Sequence, residues 1–211
     1  MFDNGRSSSA LPLERRPSMA PNQDLLDRVA SSLSCPPAYG EATGSTSLLL
    51  SAAVGYGTLP QHEDDGAAVF DPEHAARFEA VVEAAFLVAY ADGTFDAKEQ
   101  HAFEHVVVAA CAGRVNERQV RALLTDLETS LAEDGFDRRI RMVARHIRDL
   151  GQAREVLRVA ALIAAVSCGV SAAERQLLAK LAAALDLGTA AVDAAIAEAE
   201  RALGGSQQDP G

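Results

Sequence analysis

The sequence predicts an all-α protein, on the strength of its composition and its apolar spacing. Of 211 residues, 48% are hydrophobic but only 5% are aromatic, and there is no Trp. A core built mainly from Ala, Leu and Val favours closely packed helices over an aromatic-rich β-sandwich. Apolar residues also recur at spacings of three and four, which is the period of an amphipathic helix. We therefore expect one helical domain with extensions.

Residues 1–66 are predicted to be a mostly disordered N-terminal segment. Residues 1–21 are rich in Ser and Pro, and this composition buries too little apolar surface to offset the entropy of ordering. A short helix over 22–34 is expected within the segment, because an asparagine suits its N-cap and four apolar residues share one face. Residues 38–66 favour a linker. The apolar stretch 48–54 leaves docking on the domain or on a partner as the alternative.

The helical domain is predicted over residues 71–203, followed by a polar, disordered tail at 204–211. Asp71 suits an N-cap and Pro72 the first helical position, so the first helix begins there. Seven helices are expected in the domain, beginning near Asp71, Asp96, Asn116, Phe136, Arg154, Ser171 and Gly188. Gly151 is expected to end the fourth helix. The fifth is apolar on all sides and is therefore predicted to be central.

Charge and cysteine content exclude several classes of function. A formal net charge of −11 argues against binding nucleic acid or an anionic membrane surface. The N-terminus lacks the basic start and apolar run of a signal peptide, and the apolar stretch 48–56 is shorter than the roughly 20 residues that span a bilayer. Three cysteines without metal-type spacing indicate a reducing compartment: Cys35, Cys111 and Cys168. We expect a cytoplasmic protein that does not insert into a membrane.

Two stretches of the domain align without gaps, residues 86–99 and residues 161–174. Each contains an apolar helix, a short turn with a glycine, and then a capped amphipathic helix. The duplication predicts two helical hairpins packed about a pseudo-two-fold axis. The first, second, fifth and sixth helices of the domain would then form a four-helix core.

The turn of the first copy is the one local stretch that suggests chemistry: Ala91-Asp92-Gly93-Thr94-Phe95-Asp96-Ala97-Lys98-Glu99. Asp96 and Glu99 fit a capping box, as do Ser171 and Glu174 in the second copy. Asp92 follows the helix that it would end, where a negative charge is unfavourable. Its carboxylate therefore needs either an Asx-turn near Thr94 or a hard cation, such as Ca²⁺ or Mg²⁺, shared with Asp96 and Glu99.

The pattern of residues 91–99, together with the second copy ending in Glu174, resembles the TerB or TerB-like family of tellurite-resistance and stress-response systems. The likeness covers residues 71–203. It implies a compact seven-helix domain that is not an enzyme, is associated with metal or chemical stress, and works with protein partners in membrane-linked complexes. It also implies a divalent-cation site (Ca²⁺, Mg²⁺ or Zn²⁺) at Asp92, Asp96, Glu99 and Glu174. Because the second copy lacks both aspartates, we expect at most one site.

Two further patterns carry less weight. Residues 101–105 read His-Ala-Phe-Glu-His, the spacing of an inverzincin, but a five-residue match without its catalytic domain is weak. Arg138, Arg141 and Arg145 share one face of the fourth helix, which is a solvated face in most proteins and would otherwise suit an acidic partner. The sequence thus predicts a non-enzymatic TerB-like module that binds a protein partner and a divalent cation. A scaffold or adaptor without metal function, recruiting partners through its N-terminal segment, is the alternative.

Overall fold

The computed structural model describes residues 23–35, 47–57, 71–166 and 169–204. Regular structure in these ranges is entirely helical, so the all-α prediction is confirmed for them. The helices are α1 (Gln23–Ser34), α2 (Leu48–Gly57), α3 (Pro72–Ala89), α4 (Ala97–Ala110), α5 (Glu117–Asp134), α6 (Phe136–Arg145), α7 (Leu150–Ala165), α8 (Ala172–Ala184) and α9 (Thr189–Gly204). Of the segments predicted to be disordered, 1–66 and 204–211, residues 1–22, 36–46, 58–66 and 205–211 lie outside the described residues.

Helix starts in the domain follow the predicted caps, with one correction between α6 and α7. Asp71 and Asn116 accept backbone amides at the starts of α3 and α5. The prediction that Gly151 ends the fourth helix is wrong, because α6 already ends at Arg145 and Gly151 lies in the first turn of α7. Asp149 is the reason, since its side chain accepts from the amide of Gln152, 2.8 Å away, and begins a new helix.

The core is organised around α7, which packs against α3 on one side and α9 on another. Every residue from Val156 to Val166 is buried, so the prediction that the apolar fifth helix of the domain is central is confirmed. On α3, the run from Ala80 to Val88 is buried as well. The two helices with the longest buried runs therefore face each other at the centre of the fold.

The two helices before the domain pack onto it. The sequence favoured a linker over residues 38–66 and left docking of the stretch 48–54 as the alternative; in the structure this stretch lies in α2, which packs against α3. The physical reason is burial, because Leu48, Leu49 and Ala52 lie almost entirely out of solvent. The short helix expected at 22–34 is observed as α1, which lies mainly against α4.

The pseudo-two-fold core stays a prediction. Equivalent helices of the repeat, α3 and α7, pack on each other, whereas α4 lies mainly against α1 and α5, and α8 contacts α3, α6, α7 and α9. Among the described helices, none is both long and apolar enough to cross a membrane.

Candidate functional site

The acidic turn, residues 91–99, connects α3 to α4 and begins with an Asx-turn. Oδ1 of Asp92 accepts from the backbone amide of Thr94 at 3.0 Å and from its hydroxyl at 2.9 Å. Gly93 has φ +83°, a conformation that favours glycine, and it allows the chain to reverse there. The Asx-turn is one of the two arrangements expected for Asp92, and it compensates a carboxylate placed after a helix end.

The other end of the acidic turn is a capping box. Oδ1 of Asp96 accepts from the amides of Lys98 and Glu99, while Oε2 of Glu99 accepts from the amide of Asp96 at 2.9 Å. In the second copy, Oε2 of Glu174 accepts from the amide of Ser171 at 2.6 Å, and the Ser171 hydroxyl accepts in return. Both predicted capping boxes are therefore present.

Phe95 connects the acidic turn to the aromatic rings of α3 and α4. Its ring meets Phe86 of α3 edge-on, with centroids 5.7 Å apart, and meets Phe103 of α4 in the same way at 5.8 Å. Such edge-to-face contacts add to the stabilisation from burial. No role for Phe95 was predicted from the sequence, although an aromatic residue between two aspartates of an exposed turn was the available signal.

Electrostatics at the acidic turn centre on Glu99. Burial raises the pKa of this carboxyl, and the nearby charges of Asp96 and Asp92 raise it further, against the bond from the Asp96 amide that lowers it. Asp92 and Asp96 are themselves exposed. The three carboxyl groups thus share one negative potential, which a bound proton or cation would relieve.

The fit of a metal ion to these residues is incomplete. Their oxygens are of the kind that Ca²⁺ and Mg²⁺ prefer, but one oxygen of each carboxylate already accepts hydrogen bonds within the turn. Glu174 caps α8 in the other copy of the repeat. In the parts of the chain that the structure describes, no group of three or more His, Cys, Asp or Glu side chains is arranged to hold a metal ion. Cation binding at Asp92, Asp96, Glu99 and Glu174 stays a prediction.

The inverzincin-like spacing coincides with structural contacts on α4. Glu104 is buried and accepts from Nε and Nη2 of Arg121 on α5, at 3.0 and 2.7 Å. His105 contacts Asp27 of α1 at 3.0 Å. The glutamate that would act as a base in such an enzyme is therefore engaged in an ion pair between helices.

The arginines of α6 divide into two groups. Arg139 is half-buried and pairs with Glu83 of α3 and with Asp134 of α5. It therefore connects α6 to both of these helices. Arg138 pairs with Asp134 at 3.4 Å, whereas Arg141 and Arg145 are exposed and form no ion pair with another described residue. All three arginines of the predicted basic face are therefore exposed, and Arg138 is paired with a carboxylate of the same chain.

Comparison with known protein families gave a match over more than half of the chain. The family model of the tellurite resistance protein TerB matches residues 78–197, a range that runs from α3 into α9 and contains the acidic turn. No curated protein and no solved structure matches the chain. The family predicted from residues 91–99 and their second copy is confirmed.

Proposed function

Because the chain belongs to the TerB family, we propose that it is a non-enzymatic stress-response module, acting in tellurite or chemical stress, that binds a protein partner through the acidic turn. The observation that carries the proposal is the set of hydrogen bonds and ring contacts that hold this exposed segment. The Asx-turn, the capping box and the ring contacts of Phe95 fix its backbone, while Asp92, Asp96 and Lys98 remain exposed.

A rigid acidic surface suits a basic partner segment. Preorganised groups bind with a smaller entropy loss than mobile ones, so the fixed carboxylates gain affinity without new contacts. Negative potential at the turn would also steer a Lys- or Arg-rich segment toward it and set the orientation of docking. The proposed partner is therefore a protein with a basic recognition segment.

The second candidate function is binding of a divalent cation at the same turn. It is supported by the raised pKa of Glu99, which burial and the charges of Asp96 and Asp92 produce and which a cation would reverse. Asp92, Asp96 and Glu99 are the residues that would hold Ca²⁺ or Mg²⁺, with Zn²⁺ the less suited ion for an all-oxygen donor set. Glu174 would take part only if the second copy joined the site.

The test of both functions uses the double variant Asp92→Asn/Asp96→Asn. Asparagine keeps the oxygen needed for an Asx-turn and for an N-cap, so the fold is retained and two charges are lost. The matched control is Glu128→Gln/Glu133→Gln, which removes two exposed charges from α5.

Partner binding is tested by photo-crosslinking. Each double variant carries a photo-crosslinking residue in place of Lys98 and is expressed in host cells treated with tellurite. Equal crosslinked yields in the two double variants would refute the partner proposal.

Cation binding is tested on the purified full chain by adding CaCl₂, MgCl₂ or ZnCl₂. The melting temperature of the unmodified chain and of the α5 control should rise, and that of Asp92→Asn/Asp96→Asn should not. If no metal raises the melting temperature of the unmodified chain, the cation function is refuted and the partner function is untouched.

The proposal includes three finer expectations: a cytoplasmic location, a family domain of seven helices corresponding to α3–α9, and a pseudo-two-fold relation between its hairpins. The matching capping boxes at Asp96 and Ser171 support the last of these. The alternative function, a scaffold that recruits partners through its N-terminal segment, is best tested by deleting residues 1–22, since that deletion leaves the packed helices α1 and α2 in place. Loss of partner capture on this deletion would favour the scaffold.

A further inference from the structure

A groove on the family domain holds α1. The groove is formed by α4, with α9 and α7 at its sides. Into it α1 inserts four apolar side chains at the spacing of one helix face: Leu26, Val29, Ala30 and Leu33. Val29 and Leu33 are entirely buried, whereas Asp24 and Ser31 are exposed. Asp27 is also exposed, and its carboxylate contacts His105 of α4 beside the groove. The contact is thus that of an amphipathic helix seated in a complementary groove.

Polar groups of the groove also form hydrogen bonds with the C-terminal end of α1. Arg158 of α7, only 4% exposed, donates to the carbonyl oxygen of Ser32 at 2.6 Å and to that of Cys35 at 3.4 Å. Its Nε pairs with Glu198 of α9. Carbonyls at a helix C-terminus lack intrahelical donors and carry partial negative charge, so a buried guanidinium complements them. The hydroxyl of Ser34 adds a bond to the carbonyl of Ala110, where α4 ends.

The groove and the helix in it belong to different parts of the chain. The family match covers residues 78–197, which include all of α4 and α7 and the first half of α9. By contrast, α1 lies wholly outside the match. The family domain therefore builds the groove, with a buried guanidinium aimed into it, and this chain fills it from its own extension.

We propose that this groove is a binding site for an amphipathic helix of a partner protein. In the absence of the partner, α1 lies in the groove, and the partner helix displaces it. The partner helix carries apolar residues at positions i, i+3, i+4 and i+7, and ends where its last carbonyls reach Arg158. The site is separate from the acidic turn and does not depend on the proposed function of that turn.

The first experiment opens the groove in the full chain with Leu26→Asp/Val29→Asp/Leu33→Asp, which removes the apolar face of α1 alone. The probe is a fluorescein-labelled peptide of residues 23–35, followed by fluorescence anisotropy. We expect micromolar binding to the triple variant and at least tenfold weaker binding to the unmodified chain, since the tethered helix competes at a high effective concentration. The same peptide carrying Leu33→Asp is the control and should not bind.

Two results would overturn the proposal. One is a triple variant that melts cooperatively but does not bind the peptide, because the groove would then have no affinity for a helix. The other is a triple variant that does not fold, because α1 would then be part of the cooperative core and not displaceable.

Hydrogen exchange on the unmodified chain provides an independent test. If α1 leaves the groove while the domain stays folded, its amides should exchange at least a hundredfold faster than those at the centre of α7, after correction for intrinsic rates. Equal protection in the two helices would mean that α1 opens only with global unfolding, and the proposal would fail.

Discussion

Glu155 and Arg158 lie one turn apart on α7. Glu155 binds the N-terminal end of α2, and Arg158 binds the C-terminal end of α1. The carboxylate of Glu155 accepts from the amide of Leu48, where α2 begins, and the guanidinium of Arg158 donates to the last carbonyls of α1. A negative group at a helix N-terminus and a positive group at a helix C-terminus both complement the helix dipole. Residues 36–46 connect the two ends, so one turn of α7 fixes both N-terminal helices.

The first prediction concerns the buried guanidinium. Arg158→Met keeps most of the side-chain volume but removes the buried ion pair with Glu198 and the donor to the carbonyl of Ser32 at the end of α1. We expect the free energy of unfolding to fall by about 3 kcal/mol, as when one member of a buried ion pair is removed. Urea denaturation followed by circular dichroism measures it. Arg154→Met, at an exposed position one turn earlier, should change it by less than about 0.5 kcal/mol.

The second prediction concerns pH. Burial raises the pKa of Glu155, although the Leu48 amide and the charge of Arg158 act in the opposite direction. A carboxyl with a raised folded-state pKa binds its proton more tightly in the folded chain. Its contribution to stability is therefore fully present below the unfolded pKa, near 4.5, and is lost as pH rises through the folded pKa.

The variant Glu155→Gln isolates this effect, because glutamine keeps an oxygen for the Leu48 amide and does not titrate. Urea midpoints measured from about pH 4 to pH 8 should fall in the unmodified chain relative to the variant as pH rises above about 4.5. A difference between the two proteins that stays constant across this range would contradict the assignment.

Local features of the fold were predictable from the sequence, and distant pairings were not. The capping boxes at Asp96 and Ser171 were predicted because each uses residues only three positions apart. The boundary near Gly151 was wrong because two local signals compete there. A glycine indicates the end of a helix, whereas Asp149 indicates the start of one. In the structure Asp149 is the N-cap of α7, so the start signal decides the boundary.

Arg158 shows why the remaining contacts could not be predicted. Its partners are Ser32, 126 positions away, and Glu198, 40 positions away, and no local period connects them. A signal was nevertheless present, since a charged residue inside a helix that is otherwise apolar must find a buried partner. For the acidic turn, the sequence predicted the capping box of Asp96 and Glu99. It did not predict the part played by Phe95, because the ring contacts of Phe95 depend on how α3 and α4 meet.

The third prediction concerns the close approach of α2 to α3. A Cβ added at Gly55 would overlap the Cβ of His74 and lie 3.3 Å from the carbonyl oxygen of Asp71. Gly55→Ala should therefore destabilise the chain by about 1–3 kcal/mol, although alanine alone would favour a helix. Gly188→Ala is the control, because its Cβ would meet open space. Thermal melts of the two variants measure the contrast, and equal melting temperatures would contradict the packing of α2.

The fourth prediction concerns thiol reactivity, which follows from thiolate content and access. Cys35 is exposed, whereas Cys111 is buried, and burial raises the pKa of its thiol to about 12. Cys168 lies outside the described residues, so the experiment uses Cys168→Ser. At about pH 8, Ellman's reagent should modify Cys35 rapidly because its thiol is exposed, and Cys111 only at the rate of unfolding. Adding Cys35→Ser should abolish the fast phase, and guanidinium should release the slow thiol in both proteins. A fast phase that persists in the double variant would mean that solvent reaches Cys111 at the end of α4, next to Ala110, whose carbonyl accepts from the Ser34 hydroxyl of α1.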